Sequence, residues 1–298
     1  MNPVFLYFAS GDSLYAGAVL LLLAVIVARF ARQRWLVRLR NLAAWVALVL
    51  ITMACPPFPW SVDAVFFTAF LLWLIVSNRR LVRRATRWRI VSTAMLLIVL
   101  LTLTAVELFH RRMPAIAGTP SDHLVVIGDS ISSGIDPRVP AWPVILQQTI
   151  DVPVKNLSRP GAQAAEGPDM AGNITPDDHV VLIEIGGNDL LSGVPSAVFE
   201  KNLDATLSEL AMPGRTTVMF ELPLLPNKIA YGQIQRHLAA KYAVWLIPKR
   251  CFIEVIGGAN ATSDGLHLSE TGAHRMATLV ATVLSPVLKS DMVGTHRE

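Results

Sequence analysis

Within the first 112 residues, uncharged apolar runs alternate with clusters of arginine, a pattern that leaves few folds open except helices crossing a lipid bilayer. Residues 14–30 and 90–109 are two such runs. Between them, residues 42–77 hold one charged side chain, Asp63, and their length suits two passes, since a bilayer core takes roughly 17–25 residues per helix. Pro56, Pro57 and Pro59 divide this stretch, because proline cannot continue a helical hydrogen-bond ladder. Trp60 beside them suits the bilayer interface. The expected spans are 14–30, 42–56, 61–77 and 90–109, within a membrane region covering residues 1–112.

Charge divides the chain at the same place. Residues 1–112 carry 13 arginines and 3 acidic side chains, whereas the remainder carries 13 basic and 19 acidic ones. The net charge of +4 therefore belongs to the loops flanking the apolar runs. That argues against a nucleic-acid groove, which would need its positive charge on the domain that does the chemistry. Arg29, Arg32, Arg34, Arg38 and Arg40 follow the first run, and Arg79, Arg80, Arg83, Arg84, Arg87 and Arg89 precede the fourth. Arginine-rich loops stay on the cytoplasmic side, so the N-terminus and everything after Arg112 are expected outside. The first run does not read as a cleavable signal peptide, because its basic residues follow the apolar stretch instead of preceding it. Cys55 and Cys251 fall in different regions and suggest neither a disulfide framework nor a metal site.

From residue 122 the pattern changes to short apolar strands alternating with helical stretches. Strands are expected at 124–128, 152–157, 180–185, 216–222 and 244–247. Helices are expected near 141–150, 196–210 and 231–242, with a closing helix capped by Ser269. Such alternation predicts an α/β domain over 122–287 with a mostly parallel sheet covered on both faces. Residues 113–121 read as a linker and 288–298 as a tail. Sheets of this kind bind ligands beyond the carboxyl ends of their strands.

Two candidate groups sit at such ends, and a third lies in a later loop. Gly128-Asp129-Ser130 closes the first strand, Gly186-Gly187-Asn188-Asp189 closes the third, and Asp264-Gly265-Leu266-His267 lies near the C-terminus. A serine hydroxyl is a weak nucleophile until a base takes its proton, and the base works best when a third group orients it. Asp264 and His267 offer that base and orienting group from one loop.

With Asn156-Leu157-Ser158-Arg159-Pro160-Gly161 added, the four blocks occur in the order of the SGNH or GDSL hydrolases, and the chain resembles that family over about residues 122–287. The resemblance is strongest to its bacterial periplasmic thioesterase, lysophospholipase and arylesterase branch. It implies a three-layer, flavodoxin-like parallel sheet. It also implies a catalytic triad of Ser130, Asp264 and His267, and an oxyanion hole of the Ser130 and Gly161 N–H groups with the Asn188 amide. Asp129 and Gly187 would support the site. Glu184, by its place within the third strand, is expected to support it electrostatically. No cofactor and no metal are implied. The expected substrate is an acyl ester, a thioester or a lysophospholipid, the expected non-protein partner is the bilayer, and no nucleic-acid partner is expected. The setting would be a bacterial inner membrane with the catalytic domain on the periplasmic side. Pro160 departs from the usual second block and leaves the geometry of the oxyanion turn open.

Two rival functions use the same residues or none of them. An envelope polysaccharide could be the substrate or acceptor, giving an O-acetylesterase or O-acetyltransferase. Alternatively, the domain could be a non-catalytic acyl- or glycan-binding module. His274 has no carboxylate ahead of it and is not the expected base. Asn173 and Asn260 match a glycosylation pattern that a bacterial chain would not use. Ser13 lies in a literal Gly-Asp-Ser-Leu run, but no strand precedes it. Ser130→Ala is therefore expected to abolish ester turnover and Ser13→Ala to leave it intact. Steady-state hydrolysis by the two variants checks this, and loss of activity in Ser13→Ala alone would reverse the assignment.

Overall fold

The computed structural model describes residues 3–30, 33–78 and 86–289. Arg32, Arg79, Arg80, Arg83 and Arg84, and all but the first two residues of the expected tail, lie outside them. Two compact units result. One comprises residues 1–6, 113–223 and 230–298, and the other residues 7–112 and 224–229.

After a short helix α1 (Pro3–Ala9), four helices are long and apolar enough to cross a membrane. They are α2 (Asp12–Phe30), α3 (Arg34–Met53), α4 (Trp60–Ser77) and α5 (Thr86–His110). Helix α3 begins eight residues ahead of the expected 42, because arginine and leucine are good helix formers and carry the helix beyond its apolar stretch. Inside this unit Leu14, Leu21, Phe66, Phe70, Trp73, Leu96 and Leu100 form a dry core. Arg40 is buried with them, its guanidinium donating to the Ser77 carbonyl and lying 5.9 Å from the centre of the Trp73 ring. Leu22, Ile26, Val46, Leu71, Ile98 and Leu101 point outward, as lipid-facing side chains would. Ser13 is fully buried in α2, far from any strand end in sequence.

The second unit is a five-stranded, all-parallel sheet: β1 (Leu124–Gly128), β2 (Val154–Asn156), β3 (Val180–Glu184), β4 (Thr216–Phe220) and β5 (Trp245–Ile247). The spatial order is β2-β1-β3-β4-β5. The short helix α6 (Ser130–Ser133) follows β1, and α7 (Trp142–Ile150) leads into β2. Next come α8 (Gly167–Ala171), α9 (Gly187–Ser192), α10 (Ser196–Leu210), α11 (Ile229–Lys241), α12 (Lys249–Ile256) and the closing α13 (Glu270–Leu284). Every residue of β1, β3 and β4 is buried, which matches their largely apolar sequences and requires cover on both faces. Helix α7 packs on α13, and α10 packs on α8. One face of the sheet (Leu124, Val126, Leu182, Val218) shares a core with Trp142, Leu146, Met276 and Val280. Ile116, in the expected linker, is buried in the same core.

The chain leaves β1 toward β2 on one side and returns to β3 on the other, with Val126 level with Leu182 across the gap. This reversal opens a crevice at the carboxyl ends of β1 and β3, where doubly wound sheets hold their ligands. At the opposite end, the buried Asp178 accepts from the Thr175 N–H (2.7 Å), from His123 Nε2 (2.8 Å) and from Lys155 Nζ (3.2 Å), and so fixes the start of β3. His123 bonds Asp122 through its other nitrogen at 2.7 Å.

Burial alone would lower the His123 pKa, but the bonds to Asp122 and Asp178 outweigh it and raise the value. Burial alone would raise Asp178, and its hydrogen bonds lower it. The histidine contribution is therefore complete below its unfolded pKa of about 6.5 and is lost as pH rises through the higher folded value. The aspartate contribution is lost only as pH falls through a value below its usual range. The deficit in unfolding temperature of His123→Gln is thus expected to be larger at pH 5.5 than at pH 8.5. Thermal scans of the full chain in detergent test this, and a deficit growing with pH would contradict it.

Candidate active site

Ser130 follows β1 directly, where the buried strand turns sharply into α6. Asp129 caps that helix, its Oδ1 accepting from the Ile131 N–H at 2.9 Å. The serine stands at the first helical position with its backbone N–H outside the intrahelical bonding pattern.

Beyond β2 the chain forms a tight turn at Arg159-Pro160-Gly161-Ala162, closed by Ala162 N–H to the Arg159 carbonyl at 3.1 Å. Gly161 has φ +76°, and the space where a Cβ would lie is open. Proline second, a positive-φ glycine third and this hydrogen bond are the features of a type II turn. Pro160 thus fits this turn instead of disturbing it: its ring fixes the φ that the second turn position requires. The turn is registered against β1 by Arg159 N–H to the Gly128 carbonyl at 3.1 Å.

Beyond β3, Gly186 adopts φ +107°, and a Cβ there would press on the Phe199 ring at 2.9 Å. This glycine, which the motif reading passed over, lets the chain turn into α9. Gly187 sits beside Asp129, with room for an ordinary contact at 3.5 Å. Asn188 Nδ2 donates to Asp129 Oδ2 and to the Ala162 carbonyl, both at 3.0 Å. Asp189 accepts from the Ala164 N–H at 2.8 Å. The third block therefore clamps the second and joins it to the first.

Between α12 and α13, Asp264 Oδ1 accepts from the N–H groups of Leu266 (2.9 Å) and His267 (2.8 Å). Its Oδ2 meets His267 Nδ1 at 2.7 Å. The carboxylate both folds the loop and holds the ring, and the bond to His267 drives its pKa well below the usual carboxylate range. With Nδ1 engaged, Nε2 is the nitrogen left to act. His267 and Ser130 line one narrow cleft. His274 lies exposed on α13. Among the described residues, no three His, Cys, Asp or Glu side chains are grouped so as to hold a metal ion.

Below the serine lies a buried polar cluster that the motifs only partly announce. Ser132 Oγ donates to Glu184 Oε2 (2.9 Å) and accepts from Trp142 Nε1 (3.2 Å), while its carbonyl accepts from Asn156 Nδ2 (2.9 Å). Glu184 is fully enclosed and hydrogen-bonds Asp129. Burial pushes Asp129 up to about 6 and Glu184 well above the usual carboxylate range. Two carboxyls in contact do not both ionise at neutral pH. Glu184 keeps the proton and donates it to the ionised Asp129.

A parallel α/β sheet that presents a serine, a glycine turn, an asparagine and an Asp–His loop at one edge has the layout of an ester hydrolase. Residues 126–275 match the GDSL-like Lipase/Acylhydrolase family. An arylesterase of Vibrio mimicus is 32% identical over 188 residues, which cover 56% of this chain and 90% of that protein. Esterase TesA of Pseudomonas aeruginosa is 30% identical over 183 residues, 55% of this chain and 89% of that one. The crystal structure of the psychrotrophic esterase EstA from Pseudoalteromonas sp. shares the fold. Its TM-score is 0.50 at 19% identity, covering 55% of this chain and 97% of that one. The chain belongs to the GDSL-like lipase/acylhydrolase family and is an ester-bond hydrolase.

Glu184→Ala removes both the acceptor for Ser132 and the donor to Asp129. It is expected to lower kcat on the order of 10–100-fold by loosening the turn that carries Ser130. Glu184→Gln keeps an acceptor and a donor and should retain most of the activity. Ester turnover with circular dichroism as a folding check tests this, and equal loss in both variants would refute the shared-proton arrangement.

Proposed function

We propose that the protein is a membrane-anchored serine ester hydrolase acting on acyl esters outside the cytoplasm. The observation that carries this reading is the 2.7 Å contact of Asp264 Oδ2 with His267 Nδ1, in an imidazole that shares a cleft with Ser130. Ser130 Oγ attacks the ester carbonyl while His267 Nε2 takes its proton. Asp264 holds the ring in the tautomer that leaves Nε2 basic and stabilises the imidazolium. The oxyanion is met by the Ser130 and Gly161 N–H groups and by the Asn188 amide. Both hydrogens of that amide are engaged in the resting site, so Asn188 exchanges the Ala162 carbonyl for the oxyanion as negative charge develops. Its remaining bond to Asp129 keeps it aimed. His267 then protonates the leaving group, and water repeats the sequence to release the acid.

The four long apolar helices support anchoring. The arginines at their ends, Arg29, Arg34, Arg38, Arg40, Arg87 and Arg89 among the described residues, support a cytoplasmic location for those loops and a periplasmic one for the hydrolase domain. The names of the arylesterase and esterase relatives support carboxylic esters as the substrate class.

Full-length protein in detergent, assayed on p-nitrophenyl esters from acetyl to palmitoyl, is expected to give Ser130-dependent hydrolysis of medium to long chains. Asn188→Ala should reduce it roughly a hundredfold, the usual effect of losing one oxyanion donor. Hydrolysis restricted to acetyl esters would point instead to acetylated envelope glycans. No labelling of Ser130 by a fluorophosphonate would make the domain a binding module.

A further inference from the structure

The cleft that holds Ser130 and His267 has one wall from the segment between α6 and α7 and the other from the His267 loop and the start of α13. Ile135, Val139 and Leu268 line it beside the polar groups of Ser130, Asp136 and His267. Neither Gly161 nor Asn188 borders it. The 134–141 segment is a built wall. The Asp136 carboxylate accepts from the Arg138 N–H at 3.0 Å, Val139 N–H bonds the Asp136 carbonyl at 3.0 Å, and Trp142 anchors the far end on Ser132.

The tetrahedral carbon formed on Ser130 Oγ has three other substituents: the oxyanion, the acyl chain and the leaving oxygen. The oxyanion faces Gly161 and Asn188. The leaving oxygen faces His267, because that imidazole must protonate it. We infer that the cleft bounded by Ile135, Val139 and Leu268 is the leaving-group subsite, and that it accepts a compact, uncharged alcohol or thiol. The acyl chain lies outside it. This assignment rests on the catalytic reading above and deepens it by naming the half of the ester that the cleft selects.

Charge at the rim argues the same way. The cation nearest the cleft in sequence, Arg138, is bound through Nε at 3.0 Å and a terminal nitrogen at 2.8 Å to Asp136, itself part of the lining. A phosphate-bearing leaving group would meet that carboxylate, with the guanidinium already engaged. An uncharged glycerol, alkyl or aryl alcohol would not. The narrowness of the cleft favours a small group.

The test uses full-length protein in detergent and holds the acyl group constant. Ethyl, butyl and cyclohexyl octanoate differ in alcohol size with similar leaving-group basicity. Val139→Trp fills the cleft and should lower kcat/KM for cyclohexyl relative to ethyl octanoate by about tenfold or more, while Val139→Ala should shift the ratio the other way. Neither change should reorder acyl-chain preference on a common methyl leaving group. If both variants leave the alcohol ratio unmoved and reorder acyl preference instead, the cleft holds the acyl chain and the assignment is wrong. For the charge limit, a monoacylglycerol should be hydrolysed faster than the lysophosphatidic acid of the same chain, and the reverse order would overturn it. Absence of Ser130-dependent hydrolysis in the unaltered protein would overturn the catalytic reading and this one with it. Intact hydrolysis with an unmoved alcohol ratio overturns the subsite alone.

Discussion

Two carboxyl groups, those of Asp129 and Glu184, lie buried in contact beneath the turn that carries Ser130, and much of the site's geometry passes through them. Burying one unpaired carboxylate is costly, and burying two side by side costs more. Retaining one proton turns that repulsion into a hydrogen bond. The ionised partner, Asp129, then accepts through both oxygens, from Ile131 in the turn after β1 and from Asn188 at the end of β3. The protonated partner takes Ser132 as well. The ends of two adjacent strands are thereby fixed to each other by charge-assisted bonds in a dry setting, where such bonds are strongest.

The switch in strand order explains why these groups meet at all. Because β1 and β3 are neighbours while the chain between them passes through β2, three loops separated by dozens of residues converge on one crevice. The glycine turn after β2 reaches the same place through its registry with Gly128 and through the clamp from Asn188 and Asp189. Only the Asp264–His267 loop is self-contained. Its carboxylate organises three donors within four residues, so the imidazole is oriented before any long-range packing is considered.

Much of this is legible in the sequence, for identifiable reasons. Fully buried parallel strands read as largely apolar runs without alternation, so β1, β3 and β4 stand out, as does the helix-forming period of α10. Ser130, Asn188 and the Asp264–His267 pair are legible because each occupies the end of such a run or a short-range motif. The supporting cluster is much less so. Ser132, Trp142 and Asn156 become partners only through the fold, and nothing in their local spacing announces Glu184 as a proton holder. Gly186 is hidden by its neighbour in a Gly-Gly pair, and only the Phe199 ring behind it reveals which glycine the backbone needs. The start of α3 is misjudged for the opposite reason: hydropathy marks where a helix can meet lipid, not where its hydrogen bonds begin.

The bridge that closes the hydrolase unit has a further implication. Ser121 N–H meets the Val287 carbonyl at 2.9 Å, and Lys289 N–H meets the Ser121 carbonyl at 2.8 Å, so the strand-like entry to the unit and its exit lie side by side. A unit whose two ends are already hydrogen-bonded can be spliced into another polypeptide, or rejoined end to end and reopened elsewhere, without stretching its sheet. In evolutionary terms it is a portable cassette: the same catalytic body can be mounted on a different leader, on helices or on nothing, while the crevice at β1 and β3 stays as it is.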